Sequence, residues 1–418
     1  MIFKLFKSTL LFVLIATVSC GNNSGQKNKQ SLNQNSFSPE VEKQEDITLG
    51  AARTDIYLPM LENKKVGIIG NQTSVINKAK GNRPANAEKI HLVDSLVSLG
   101  VNVVKVFAPE HGFRGTADAG EVIKDGKDLK TGLPIISLYG SNKKPSPEQL
   151  EDLDVLIFDI QDVGTRFYTY ISTLHYVMEA SAENRIQVIV LDRPNPNGHY
   201  IDGPILEPQN KSFVGMHEIP VVHGLTIGEY AKMINGEGFL KNGIQADLTV
   251  VEMEKYNHKL PYDLPIKPSP NLPNLTAINL YPSLCFFEGT NVNAGRGTSN
   301  QFQVFGSPFL NKDQFSYSYV PQSNEGAKNP KHLGKTCFGK NLTDTPRLSQ
   351  INLEWLIEAY ENTADKSTFF NAFFTKLAGT GKLQEQIEAG MSAEEIRATW
   401  QDGLEDYAAV REKYLIYE

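Results

Sequence analysis

Apolar residues along this chain gather into short, nearly unbroken runs instead of alternating with polar ones. Five such runs, at 66–69, 101–107, 135–138, 155–158 and 186–191, are rich in Val and Ile. A strand that is apolar along its whole length is covered on both faces, which is the situation of a parallel sheet between two layers of helix. Helical patterns fill the gaps. One spans 84–99, from Pro84 to a stop at Gly100. Another spans 146–153 behind Ser146-Pro147-Glu148, a cap followed by a proline and an acid. A third, 165–183, places apolar and aromatic groups at helical spacing. Strands alternating with helices predict right-handed crossovers and a doubly wound sheet.

Beyond residue 205 the pattern changes to Pro-rich loops, one strand-like run at 246–251 and a helix-rich tail from Leu348. The predicted fold class is α/β, with a Rossmann-like parallel-sheet domain over 47–205 followed by a smaller α+β domain over 206–418 that completes a cleft. A chain of 418 residues is longer than one hydrophobic core usually supports, which agrees with two domains. The Pro-rich stretch 261–282 is punctuated by Leu264, Ile266, Leu272, Leu275 and Leu280, so it reads as a connection wrapped over the surface.

The first residues follow a different rule. Lys4 and Lys7 precede an apolar run at 10–16, then come the small residues Thr17 and Ser19, then Cys20. This order predicts a secretory signal over 1–20, and the run is too short for a comfortable membrane span. A cysteine at the cleavage point resembles a bacterial lipobox, with Thr17 where that motif prefers Leu; the alternative is a plain signal peptide with an incidental Cys. Acyl chains on Cys20 would anchor the protein to a membrane of the bacterial cell envelope as a lipoprotein. Residues 21–46 hold almost no large apolar group and read as a tether.

Composition narrows the partners. Forty-one basic residues against 48 acidic ones leave a net charge of -7, so the clustered positive charge that binds nucleic acid is lacking. Past the signal only Cys285 and Cys337 remain. Export would permit them to pair, but no Cys or His spacing accompanies them to make a zinc site, and both read as structural. The turn after the first strand, Gly67-Ile68-Ile69-Gly70, misses the dinucleotide fingerprint, and neither G-x-S-x-G nor H-E-x-x-H occurs. No cofactor or metal is expected.

Polar and ionisable residues follow the strands. The first strand runs into Asn71-Gln72-Thr73, the second into Glu110-His111, the fourth into Asp159, Gln161 and Asp162, and the fifth into Asp192-Arg193. In an open parallel sheet the loops at the carboxyl ends converge on one crevice where ligands bind. The densest stretch is Glu110-His111-Gly112-Phe113-Arg114-Gly115, continuing to Asp118. There the glycines allow an acid, an imidazole and a guanidinium to point into one small volume. Glu110, directly after an apolar strand, is placed to be partly desolvated, which suits a general acid; a salt bridge to Arg114 is the plainer alternative. His111 is a proton shuttle or an orienting group. Arg166, Tyr168 and Tyr170 supply a fork of donors and flat rings, while Thr165 reads as a helix cap. A second polar, glycine-rich segment, 287–298, carries Glu288, Asn291 and Arg296 but lacks the ending of a P-loop.

Five of these segments, GNQTS, APEHGFRG, DIQDVGTRFYTY, LDRPNPNG and FEGTNVNAGRGT, resemble the NamZ-like exo-β-N-acetylmuramidases in order from about residue 47 to the C-terminus. The resemblance implies a Rossmann-like domain, a smaller second domain and a cleft between them. It also implies release of N-acetylmuramic acid from the non-reducing ends of peptidoglycan fragments, with the glutamate of the E-H-G motif, here Glu110, as catalytic acid. Glycoside hydrolysis ordinarily needs a second group beside the acid. The residues leave it open among Asp118, Asp162, Asp192 and Glu288, with the acetamido group of the substrate as a substitute. The lactyl carboxylate of muramic acid calls for an arginine, and Arg114, Arg166 and Arg296 all qualify. Asn71, Gln72, His111, Asp118, Tyr168, Asp192, Arg193 and Asn291 complete the expected substrate-binding set. Two other classes fit the same residues: a lipid-anchored protein that binds wall sugars without cleaving them, and a metal-dependent hydrolase using His111, Asp118, Asp162 and His223.

Overall fold

The structure, a computed structural model, describes residues 47–77, 89–110, 112–114 and 125–418. The signal, the tether, Cys20, His111, Asp118 and most of the first half of the 84–99 helix pattern lie outside the described residues.

In chain order the first part contains α1 (Thr54–Tyr57), β1 (Val66–Gly70), β2 (Val75–Asn77), β3 (Lys89–His91), α2 (Leu92–Ser98), β4 (Val103–Ala108), β5 (Gly126–Lys127), β6 (Pro134–Ser137), α3 (Pro147–Leu150), β7 (Val155–Asp159), α4 (Tyr170–Asn184), β8 (Gln187–Leu191), α5 (Ile227–Gly236) and β9 (Leu248–Val251). Each of the five apolar runs has become a strand. They explain themselves by alternation: Val66 and Ile68 face the same apolar cluster as Leu92, Leu96 and Tyr57, whereas Ile69, Phe107 and Phe158 face the cluster built with α4 and α5. Both faces are buried, so neither phase of the strand tolerates a polar residue.

The sheet order is β5-β6-β4-β1-β7-β8-β9, parallel throughout except for the edge strand β5. Counting only the parallel strands in chain order, this is 3-2-1-4-5-6, and the direction of winding reverses between β1 and β7. That reversal opens a crevice beyond the carboxyl ends of β1 and β7, flanked by the end of β4.

The second part holds α6 (Leu275–Leu284), an antiparallel sheet of order β10-β12-β11 from β10 (Val304–Ser307), β11 (Tyr317–Tyr319) and β12 (Cys337–Asn341), and the helical tail α7 (Glu354–Glu361), α8 (Phe373–Ala378), α9 (Lys382–Glu388), α10 (Ala393–Ala398) and α11 (Gln401–Glu412). Both parts belong to one compact unit.

Three boundaries differ from the sequence pattern. The run at 246–251 is not a strand of the second part: β9 pairs with β8 and extends the large sheet, so the sheet layer continues well past residue 205. An apolar run specifies burial but not the partner strand. The 84–99 pattern yields a helix only from Leu92, because Lys89–His91 pairs with Val75–Asn77 as a two-stranded hairpin. The 165–183 helix starts at Tyr170, because Thr165 bridges to Val222 and the Arg166 amide bonds the Val221 carbonyl. Cys285 and Cys337 are both buried free thiols.

Candidate active site

β4 delivers Glu110 two residues past its end, and a chain of hydrogen bonds fixes the main chain there. The Tyr170 hydroxyl donates to the Glu110 carbonyl at 3.3 Å and accepts from Asn71 Nδ2 at 2.8 Å. Asn71 Oδ1 in turn accepts from the Thr73 amide at 2.8 Å and the Thr73 hydroxyl at 2.6 Å, and Thr73 Oγ1 accepts from the Gln161 amide at 3.0 Å. The ends of β1, β4 and β7 are thereby tied into one polar network, and such a satisfied buried network rigidifies what it holds.

The side chain of Glu110 is half-buried. The Tyr139 hydroxyl donates to Oε1 at 3.2 Å and the Thr169 hydroxyl to Oε2 at 3.0 Å. Burial, then the charge of Glu110, push the Tyr139 hydroxyl up to about 12, so at neutral pH it always carries its proton and can donate.

Glu110 forms part of the wall of a hollow of about 710 Å³. Its other lining residues come from both parts of the molecule and include Tyr139, Tyr168, Thr169, Asn271, Glu288 and Arg296. The size is within the range of small-molecule sites. Glu288 and Arg296 form an ion pair, Nε to Oε1 at 3.0 Å, and the guanidinium also lies 5.1 Å over the Phe302 ring. The terminal Nη groups of Arg296 have no protein partner among the described residues, which leaves a planar donor fork for a ligand. Lys331 also lines the hollow, but its ammonium is spent on the carbonyls of Phe287 (2.9 Å), Val292 (3.0 Å) and Thr290. Burial lowers the pKa of that ammonium.

The residues expected at the rim divide sharply. Glu110, Glu288, Arg296 and Tyr168 share the hollow, Tyr168 presenting its ring while its hydroxyl bonds the Pro268 carbonyl at 2.7 Å. Asn71 and Gln72 brace the wall instead, the latter through the Lys267 and Pro268 carbonyls at 3.3 and 3.2 Å. Arg166, 0 % exposed, does not reach a ligand site: its Nη groups bond the carbonyls of Pro204, Ile219, Leu377 and Ala378, joining the two parts. Arg193 forms a buried bidentate pair with Asp159 at 2.6 and 2.9 Å. Arg114 is paired with Asp94 at 3.0 Å and Asp128 at 2.7 Å.

Asp162 is buried beneath the rim, accepting the Gly164 amide at 2.7 Å and standing 3.5 Å from His223 Nε2. Gly164 has φ +79°, and a Cβ there would collide with Asn195, so that turn requires glycine. Asp192 is sealed under α5. Asn291 lies outside the lining, its carbonyl accepting from His332 Nε2 at 2.6 Å. Tyr139 and Thr169, the two residues that hold the Glu110 carboxyl, lie outside the expected set. Tyr139 follows the 135–138 strand directly, where no charged residue marks the strand end, and Thr169 sits inside the GTRFYTY segment as an unremarkable hydroxyl.

Comparison with known proteins shows the family. Residues 66–276 match the N-terminal model, and residues 279–417 the C-terminal model, of the exo-β-N-acetylmuramidase NamZ. The two matched ranges meet between residues 276 and 279. A curated relative, the peptidoglycan β-N-acetylmuramidase NamZ of Bacillus subtilis strain 168, is 39% identical over 409 residues, covering 93% of this chain and 94% of its own. Two crystal structures of DUF1343 family proteins from Bacteroides fragilis superimpose with TM-scores of 0.80 and 0.74 at 45% and 31% identity; each match covers 89% of this chain and 99% of the other. The chain therefore belongs to the NamZ exo-β-N-acetylmuramidase family.

Proposed function

We propose that this protein is a glycoside hydrolase that releases N-acetylmuramic acid from the non-reducing end of peptidoglycan fragments, with Glu110 as general acid. The observation that carries this reading is a carboxyl group held through both oxygens on the wall of a sugar-sized hollow, with a second carboxylate, Glu288, on the same hollow. The activity of the relative from Bacillus subtilis supports the substrate class. Glu110 protonates the glycosidic oxygen as the bond to the anomeric carbon breaks. The second group is Glu288, the acetamido oxygen of the substrate itself or Asp118, which lies outside the described residues; Asp162 and Asp192 are set aside because both are buried off the hollow.

The lactyl carboxylate of muramic acid is assigned to Arg296, whose free Nη fork suits bidentate binding, whereas Arg114 and Arg166 are already committed. Acylation of Cys20 would hold the enzyme on a membrane of the cell envelope, where wall fragments are produced.

Glu110→Gln is expected to keep its fold and lose at least ~100-fold in turnover of a chromogenic muramic acid glycoside. Near-normal turnover would end the assignment. A sugar-binding protein without activity would leave a disaccharide of muramic acid and glucosamine intact, and release of free monosaccharide by the wild type excludes it.

A further inference from the structure

We propose that Tyr139 and Thr169 are positioning residues for Glu110, with Tyr139 holding Oε1 as a permanent acceptor and Thr169 acting as the turning hydroxyl that lets Oε2 lose and regain the proton. The proposal rests on the reading of Glu110 as the proton donor.

The geometry distributes the two hydroxyls one to each oxygen, 3.2 Å from Tyr139 to Oε1 and 3.0 Å from Thr169 to Oε2. They are chemically unlike. The Tyr139 phenol comes from the loop after β6, is half-buried, and stays protonated across the working pH range, so its hydrogen bond to Oε1 persists whether or not Glu110 is ionised. A proton on the carboxyl therefore resides on Oε2. A fixed donor facing a protonated Oε2 would bring two hydrogens together. An alcohol hydroxyl both donates and accepts and rotates freely, so Thr169 can donate to the carboxylate and turn its hydrogen away from the acid.

The position of Thr169 strengthens the case. It is the N-cap of α4, where a threonine ordinarily accepts a hydrogen bond from the first turn of the helix, yet its side chain makes no capping bond and reaches Glu110 instead. Local stability is given up for a contact with the reacting group. In each turnover the Oε2 proton passes to the glycosidic oxygen as the carbon–oxygen bond breaks. Water adds to the anomeric carbon, and the proton it releases restores the protonation state of the site. Among the described residues the other titratable groups around the hollow are Tyr168, Tyr281, Cys285, Glu288, Arg296, Lys328 and Lys331, with Tyr170 bonded to the Glu110 carbonyl, and none is altered in the variants below.

The test is the pH dependence of kcat/KM, with separate kcat and KM, for Tyr139→Phe, Thr169→Val and Thr169→Ser on a chromogenic muramic acid glycoside, with Glu110→Gln run beside them. Loss of the Tyr139 donor removes a bond that favours the carboxylate, so the basic limb of the Tyr139→Phe profile is expected to move up by about one pH unit. Thr169→Val is expected to lose roughly tenfold in kcat with KM unchanged, and Thr169→Ser to restore it. A Tyr139→Phe limb at the wild-type pH, or a Thr169→Ser enzyme as slow as Thr169→Val, overturns the positioning roles while an inactive Glu110→Gln leaves the acid assignment standing. An active Glu110→Gln overturns the acid assignment itself.

Discussion

Among the described residues, two groups of ionisable side chains past the ends of the large sheet differ in access: one lines the hollow and the other is sealed. At the junction of β1, β4 and β7, Glu110 is half-buried and shares a hollow with Glu288 and Arg296. Past β8, Asp192 is 0 % exposed and fully bonded: Oδ1 accepts the Arg193 and Gly228 amides at 2.9 and 2.8 Å, and Oδ2 the Thr226 and Tyr417 hydroxyls, both at 2.8 Å. Burial first, then the nearby charge of Glu229, raise Asp192 to about 7, although the hydrogen bonds it accepts oppose the rise. Glu229 caps α5 and also accepts the amides of Ile416 and Tyr417 at 2.8 and 3.2 Å. The second cluster is thus a clasp that ties the C-terminal segment to the sheet. A strand end next to the winding reversal faces a crevice, while one away from it is covered by the helix that follows.

The comparison breaks most readily at the clasp. Asp192→Ala leaves buried hydroxyls and amides without an acceptor and is expected to cost about 3 kcal/mol of stability. Asp192→Asn should cost less than about 1 kcal/mol, because the Thr226 and Tyr417 hydroxyls can turn and accept from an amide. Denaturant melts check both, and a similar loss in the two variants would contradict this account. Folded Asp192→Ala is expected to keep wild-type kcat. At the hollow the effect runs the other way: Arg296→Ala should raise KM for muramic acid substrates by roughly thirtyfold, equivalent to about 2 kcal/mol, with little effect on a glycoside lacking the lactyl carboxylate. An equal rise for both substrates would remove Arg296 from carboxylate recognition.

The smallest effect is on pH. Asp192 holds its proton more tightly folded than unfolded, so its contribution is complete below about 4 and is lost as pH rises toward about 7. His175 and His217, in contact at 2.9 Å, are both shifted down, chiefly by burial. The unfolded chain takes up protons at these histidines below about 6.5 while the folded chain resists, so their contribution is lost as pH falls. Melting temperatures of Asp192→Asn between pH 4 and 7 should therefore fall more steeply toward acid than those of the wild type. An unchanged slope would refute the opposing-slope argument.

Much of the candidate site was legible because it is local. The five strands follow from runs of Val and Ile, and Glu110 from its place behind one of them. Arg166 and Arg296 looked equivalent in sequence, each an arginine within a polar motif. Tertiary packing consumed the donors of Arg166: the Pro204 and Ile219 carbonyls take one Nη, and the Leu377 and Ala378 carbonyls of α8, more than 200 residues away along the chain, take the other. Tyr139 carries no local signal for the same reason, because its partner Glu110 is reached only through the pairing of β6 with β4.

By itself the sequence determined the alternation of strands and helices, the rim on which ligands converge and the glutamate set there, because periodicity and strand ends are properties of neighbouring residues. The tertiary structure decided which charges remain available. A buried ion must be paired or hydrogen-bonded, and whether Arg193 finds Asp159, Arg166 finds four carbonyls, or Arg296 keeps an edge without a partner among the described residues depends on elements brought together from distant parts of the chain.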